Sequence, residues 1–310
     1  MNDTTYLNAE TLASSQLTSV LKADQGNIIL LLATEALEDW AYPGLAPDAA
    51  QFPDAPGVMD LVKAIEPFPV SRWMWSDTQF DVRRQRGPLL VQVGNGSALL
   101  ETFVKQWAPA NGGMVLFTDL DIEGLHRFLT TRVVAGLPQG GEATLRWEPQ
   151  RWAAVMRALT HHRGSEFLGP ITRLVWIENS GPRSYWRQTF NPTPASREAA
   201  SSAPFSWQDG ELRRLGELDK QHFLDALTNE LVELPACAGR DHAWIYEQAR
   251  QAIQYFGNVG IHNEAIVCAL LRLSIEQGRT LNTHEARAIV ADTTRSPESR
   301  LDALRALANN

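Results

Sequence analysis

The sequence predicts an α/β lobe over residues 1–190, a short mixed sheet with flanking helices, followed by an all-α helical bundle over residues 209–310, with a linker at 191–208 between them. Three observations lead there. Short apolar runs rich in branched residues alternate with amphipathic stretches through the first two thirds of the chain. A segment with no apolar period, NPTPASREAASSAPFSWQ, then runs from Asn191 to Gln208. Beyond it the periodicity is helical almost throughout.

The expected strands are Asn27 to Ala33, Pro88 to Val93, Met114 to Phe117, Ala143 to Trp147 and Arg173 to Ile177, each too short for a helix. Helices fill the gaps. After Ser97, apolar side chains at 99, 100, 103, 104 and 107 keep one face greasy, and after Thr118 positions 122, 125, 128 and 129 do the same. Pro149 suits a first helical turn, where its missing N–H costs nothing, and Trp152, Val155, Met156 and Leu159 then form a stripe at helical spacing. The Pro- and Ser-dense segment 191–208 reads as a connection lying over the surface. The tail contains about five helical stretches, bounded by Gly or Pro or opened by capping residues, with Gly257 and Gly278 placed as left-handed C-caps.

Composition bounds the function. With 310 residues, 44% hydrophobic and 21% charged, the chain is globular. Its longest greasy run, Ile28 to Ala33, covers one strand, far short of the roughly 20 residues that span a bilayer. The N-terminal residues lack the basic start and apolar stretch of a secretory signal, so the expected location is cytoplasmic, without membrane insertion. A net charge of −8 repels phosphate backbones, which disfavours nucleic acid as a partner. Cys237 and Cys268 read as buried free thiols on helices.

Motifs of chemistry are tested one by one. Gly94 and Gly96 follow a strand, but Leu99 stands where a dinucleotide fingerprint needs its third glycine, and no lysine follows either glycine until Lys105. A glycine turn whose Asn95 or Ser97 caps the next helix explains the pattern. Ser97 lies in GNGSA rather than G-x-S-x-G. His161 and His162 are adjacent, and His222, His242, His262 and His284 lie about twenty apart, without zinc-ligand spacing. Carboxylate pairs such as Glu35 with Asp39, or Asp119 with Asp121, fit helix starts and solvated faces. The expectation is therefore a protein that is not an enzyme and holds no metal and no cofactor. The alternative is a small-molecule or nucleotide-binding enzyme using the α/β lobe, and a third possibility is a protein that is itself a toxin.

Tryptophan and arginine stand out. There are ten tryptophans, six of them at 73, 75, 147, 152, 176 and 186. Most are expected in the core, where a large ring buries the most apolar area. From His126 to Phe190, nine arginines face four glutamates, an excess suited to an acidic protein surface. Within that stretch, GPRSYWRQTF sets Tyr185 and Trp186 between Arg183 and Arg187, a mixture enriched at interface hot spots. Arg146, Arg151, Arg183, Tyr185, Trp186 and Arg187 are the candidate partner-binding residues. Reversing Arg183 and Arg187 to Glu is expected to weaken binding without lowering the melting temperature.

The segments RWMWSDTQFDVRRQRGPLLVQV, GMVLFTDLDIEGLHRFLTTRVVAGLPQGGEATLRWEPQRWAAVM, FLGPITRLVWIENSG and YFGNVGIHNEAIVCALLRLSIEQGRTL, taken in order, resemble the adaptor-chaperones of bacterial type VI secretion, a family first catalogued as a domain of unknown function. The most characteristic pieces are Gly87-Pro88 before an apolar strand, His126 inside the second helix, and the run Arg146, Trp147, Glu148, Pro149. Two departures stand out: the family usually has Asp-Pro where this chain has Glu148-Pro149, and its arginine sits one place before Arg146. A Glu is the poorer N-cap, costing the helix start about 1 kcal/mol. The resemblance implies an α/β lobe with a helical lobe, no catalysis, and cytoplasmic capture of a secreted effector protein for loading onto the spike protein of the injection apparatus.

Overall fold

The structure, a computed structural model, describes residues 6–22, 26–42, 56–145, 147, 149–180, 183–196, 203–277 and 283–308. It divides into two compact units, the first built from Met1–Asn179 and Arg183–Leu218, the second from Asp219–Asn310 with the three residues Ser180–Pro182.

The first unit is organised on a seven-stranded sheet. Its strands are β1 (Glu10–Leu12), β2 (Asn27–Leu32), β3 (Ser71–Trp73), β4 (Leu89–Val93), β5 (Gly113–Thr118), β8 (Ile171–Ser180) and β9 (Arg183–Phe190), in the order β1-β9-β8-β5-β2-β4-β3. The hairpin of β6 (Val134–Gly136) and β7 (Glu142–Thr144) stands apart as a two-stranded sheet. Every register defined in the large sheet is antiparallel, from Glu10↔Gln188 at one edge to Trp73↔Leu89 at the other, so the expected mixed sheet is corrected. The reason is topological. β4 and β5 do run the same way, joined through a helical crossover as strand–helix alternation suggests, but β2 lies between them and pairs antiparallel with both.

β2 reads NIILLL because it is covered on both faces. Ile29 and Leu31 join Leu90, Met114, Leu116, Leu174 and Trp176 in one core. That core packs under α5 (Ile122–Thr130), α6 (Pro149–Ala158) and α7 (His161–Leu168). Ile28, Leu30 and Leu32 join Val91, Val115 and Val175 in the opposite core. It is closed by α1 (Ser14–Lys22), α2 (Thr34–Ala41), α3 (Val58–Lys63) and α4 (Ala98–Thr102), whose last turn opens into a π-helical stretch at Phe103–Trp107. Helix starts follow the expected chemistry: Ser97 Oγ accepts from the Leu100 amide at 3.2 Å, Asp121 from Gly124 at 2.7 Å, and Gly96 turns at φ +69°.

Residues 203–208 depart from the surface linker expected there. Phe205 and Trp207 are buried in the first core. Gly136 clamps them, donating to the Phe205 carbonyl and accepting from the Trp207 amide, both at 2.9 Å. The Pro-Ser composition hides two aromatic plugs, and the boundary between units falls after Leu218, inside α8 (Asp209–Val232), rather than at 208.

The second unit contains the remainder of α8 with α9 (His242–Asn258), α10 (Glu264–Gln277), α11 (His284–Ala291) and α12 (Pro297–Ala308), around a core of its own that includes Leu227, Ile245, Phe256, Leu270 and Leu304. Asp241 and Thr283 cap α9 and α11. Gly257 is not the C-cap expected: it lies inside α9, and Gly260, at φ +77°, makes the left-handed turn that brings the Ile261 amide to the Phe256 carbonyl at 2.9 Å. Gly278 lies outside the described residues. Cys237 is buried and Cys268 half-buried, both as free thiols.

Candidate functional site

Two of the segments singled out in the sequence, Gly87-Pro88 and Trp147 with Pro149, meet at one end of the large sheet. There β2 ends and α2 begins at Thr34, whose buried hydroxyl donates to the Gly87 carbonyl at 2.7 Å. The Ala33 amide donates to the Gly112 carbonyl at 2.9 Å. Gly87 has no side chain because the Trp75 ring occupies the place: a Cβ there would sit 2.4 Å from the indole. Trp75 in turn tilts against Phe80 at 5.2 Å between ring centroids. From the other side Trp147 reaches the same end, anchored on Trp152 at 4.8 Å and Phe167 at 6.1 Å. The result is a groove of about 800 Å³, walled by Trp40, Trp75, Pro88, Trp147 and Pro149.

Its charged groups are Glu35 and Asp39 on α2 together with Arg86. Beside them, burial pushes the Glu38 carboxyl up against a hydrogen bond from the Val58 backbone, and the charges of Glu35 and Asp39 add to the rise. Trp40, 39% exposed, presents an aromatic face to solvent at the rim. Mixed charge around tryptophan suits a polypeptide ligand, whose side chains are apolar, acidic and basic together.

His126, the other marker residue, lies elsewhere. It is buried on α5 with a hydrogen bond to the Trp73 backbone, and its Nε2 has no protein partner. Burial first, and the charge of Arg72 next, hold its pKa below the ordinary value, so it serves as a neutral packing group.

The sequence-derived binding residues are distributed over separate places. Arg146 and the neighbouring Glu148 lie outside the described residues. Arg151 is exposed in the first turn of α6. Arg183, Tyr185, Trp186 and Arg187 are all on β9, a strand additional to those the sequence predicts. Trp186 packs half-buried on the second sheet core opposite Leu12. Arg187 pairs with Glu178 at 2.5 Å, bonds the Thr11 hydroxyl and stacks on Tyr185 at 5.6 Å. The arginine excess is partly internal as well. Arg132, 1% exposed, bonds the Ala203 carbonyl at 2.8 Å and the Glu166 carbonyl at 3.0 Å, and burial pushes its pKa down to about 10. Five of the ten tryptophans are buried, Trp147, Trp152 and Trp176 among them, while Trp73, Trp75 and Trp186 are half-buried.

Residues 48–165 match the family model described as "Domain of unknown function (DUF4123)". The matched span runs from before α3 into α7, and so holds Gly87-Pro88, His126, Trp147 and Pro149. No curated protein and no solved structure matches the chain. Among the described residues, no helix is long and apolar enough to cross a membrane.

Proposed function

We propose that this protein is a non-enzymatic adaptor of type VI secretion, which holds an effector protein in the cytoplasm and helps load it onto the spike protein. The observation that carries this reading is the groove at the sheet end. The two markers shared with the adaptor-chaperones, Gly87-Pro88 and Trp147 with Pro149, are distant in sequence yet meet around one concave, tryptophan-lined surface. The DUF4123 match over residues 48–165 supports the same reading. In it, Gly87, Trp75 and Trp147 shape the wall, Trp40 supplies an anchor for a partner's apolar side chain, and Glu35, Asp39 and Arg86 set orientation. Arg151 and the β9 residues belong to the wider contact surface. The test is co-expression of the full chain with the effector and spike proteins encoded beside it. Co-elution with both is expected, and failure to retain either overturns the reading.

A further inference from the structure

The helical unit carries a second concave surface, of about 780 Å³, between α9 on one side and α10 and α11 on the other. Its floor is apolar: Ile245, Phe256, Leu271, Val290 and Cys237 are all buried. Along its α9 wall, Trp244, Gln248, Gln251 and Tyr255 stand on successive turns, a ridge of about 16 Å at 1.5 Å per residue. Trp244 is 47% exposed and Tyr255 43% exposed, a high solvent cost for two large rings in a helix that buries its other face. Arg240, its guanidinium 5.1 Å from the Trp244 ring, and Arg287 also line the groove. No carboxylate is among its described lining residues, in a chain whose net charge is −8.

We infer that this groove is a docking site for an amphipathic α-helix of a partner protein, with aliphatic residues at i, i+3 or i+4 and i+7 flanked by Asp or Glu, an inference that rests on the adaptor reading. Charge complementarity selects the sign: acidic flanks meet Arg240, whereas basic flanks find no counter-charge among the described lining residues. The backbone selects the helix. The groove walls are helices whose amides and carbonyls are internally bonded, so an extended peptide would bury unpaired backbone groups, while a helix satisfies its own. Trp244 and Tyr255 then act as the aromatic anchors that close over the aliphatic stripe.

The test uses the full chain and a labelled peptide of about 18 residues, five helical turns, with a leucine stripe flanked by glutamates, beside a version carrying lysines in their place. The glutamate peptide is expected to bind about tenfold more tightly or better. Trp244→Ala, at an exposed position, should weaken it about tenfold with an unchanged circular dichroism spectrum, and Arg240→Glu should erase the preference between the peptides. Equal affinities, no saturable binding, or binding indifferent to both substitutions overturns the inference. So does a concentration-dependent dimer abolished by Trp244→Ala, which would make a second copy the occupant. Capture of the co-encoded effector separates the two readings. If wild type and Trp244→Ala/Arg240→Glu retain it equally, the groove assignment fails and the adaptor reading stands. If wild type retains neither effector nor spike while the glutamate peptide still binds through Trp244, the adaptor reading fails and the groove stands.

Discussion

Arg163 on α7 and Glu211 in the first turn of α8 meet at 2.7 Å with side chains 15% and 8% exposed. Glu211 also accepts from the Gln208 amide at 2.9 Å, and Arg163 reaches the Ser206 carbonyl at 2.5 Å over the Phe205 ring. Burial alone would lower the arginine's pKa, but the carboxylates of Glu211 and Glu166 outweigh it and the net shift is upward. One ion pair therefore fastens the aromatic plug and the start of α8. Removing Glu211 leaves the largely buried Arg163 with only the more exposed Glu166 as counter-charge. Glu211→Gln is expected to cost about 2–4 kcal/mol, somewhat below a fully buried pair because Arg163 keeps some solvent. At about 2–4 °C per kcal/mol for a unit of this size, thermal unfolding should shift down by roughly 4–16 °C.

Arg187 and Glu178 form a second such pair, on neighbouring strands β9 and β8. The expectation that reversing Arg187 leaves stability untouched does not fit this geometry. Arg187→Glu sets two carboxylates together where Glu178 is 11% exposed, and should destabilise by about 2–4 kcal/mol. Restoring the pair in reverse, Arg187→Glu with Glu178→Arg, should recover a good part of the loss in the same thermal melt. A double variant no better than the single one would mean that the pair contributes nothing.

What could be read from residues alone follows from how local each signal is. β2 is a run of branched and leucine side chains, and α6 announces itself by Pro149 and a stripe at 152, 156 and 159; neither needs a partner to be recognised. β9 is hidden because Arg183–Phe190 is mostly polar and sets Tyr185 beside Trp186, so neither its apolar content nor an alternating pattern marks it as a strand. Phe205 and Trp207 were hidden by the prolines and serines around them, since what buries them, Gly136 and Arg163, lies more than forty residues away. The groove is a product of pairing. Gly87-Pro88 and Trp147 could be marked as unusual, but their meeting depends on which strand ends adjoin, and periodicity carries no such information.

His126 offers a prediction in pH. Its folded pKa lies below the ordinary 6.5, through burial first and Arg72 second, with Asp77, Glu123 and the Trp73 backbone pulling the other way. Below about 6.5 the unfolded chain therefore takes up a proton that the folded chain resists. Stability contributed by the neutral imidazole is present at neutral pH and is lost as pH falls from about 6.5 towards the folded value. His126→Gln keeps a donor for the Trp73 backbone without the titration. Its melting temperature should fall less steeply than that of the wild type between about pH 7 and about pH 5. Parallel slopes would show that His126 does not titrate differently on folding.

Trp40 separates binding from architecture at the sheet-end groove. Gly87 and Trp75 cannot be changed without moving the wall, because a Cβ at 87 would lie 2.4 Å from the indole, an overpacking worth about 1–3 kcal/mol. Trp40, 39% exposed at the end of α2, holds no part of either sheet core. Trp40→Ala should therefore leave stability within about 0.5 kcal/mol, while a partner side chain that rests on the indole loses a hot-spot contact worth about 2 kcal/mol, or roughly thirtyfold in affinity. Gly87→Ala should lower both stability and capture of the co-encoded effector. Should Trp40→Ala retain effector with wild-type affinity while Gly87→Ala loses it only in proportion to its unfolding, the groove would be a structural seam and not the contact surface.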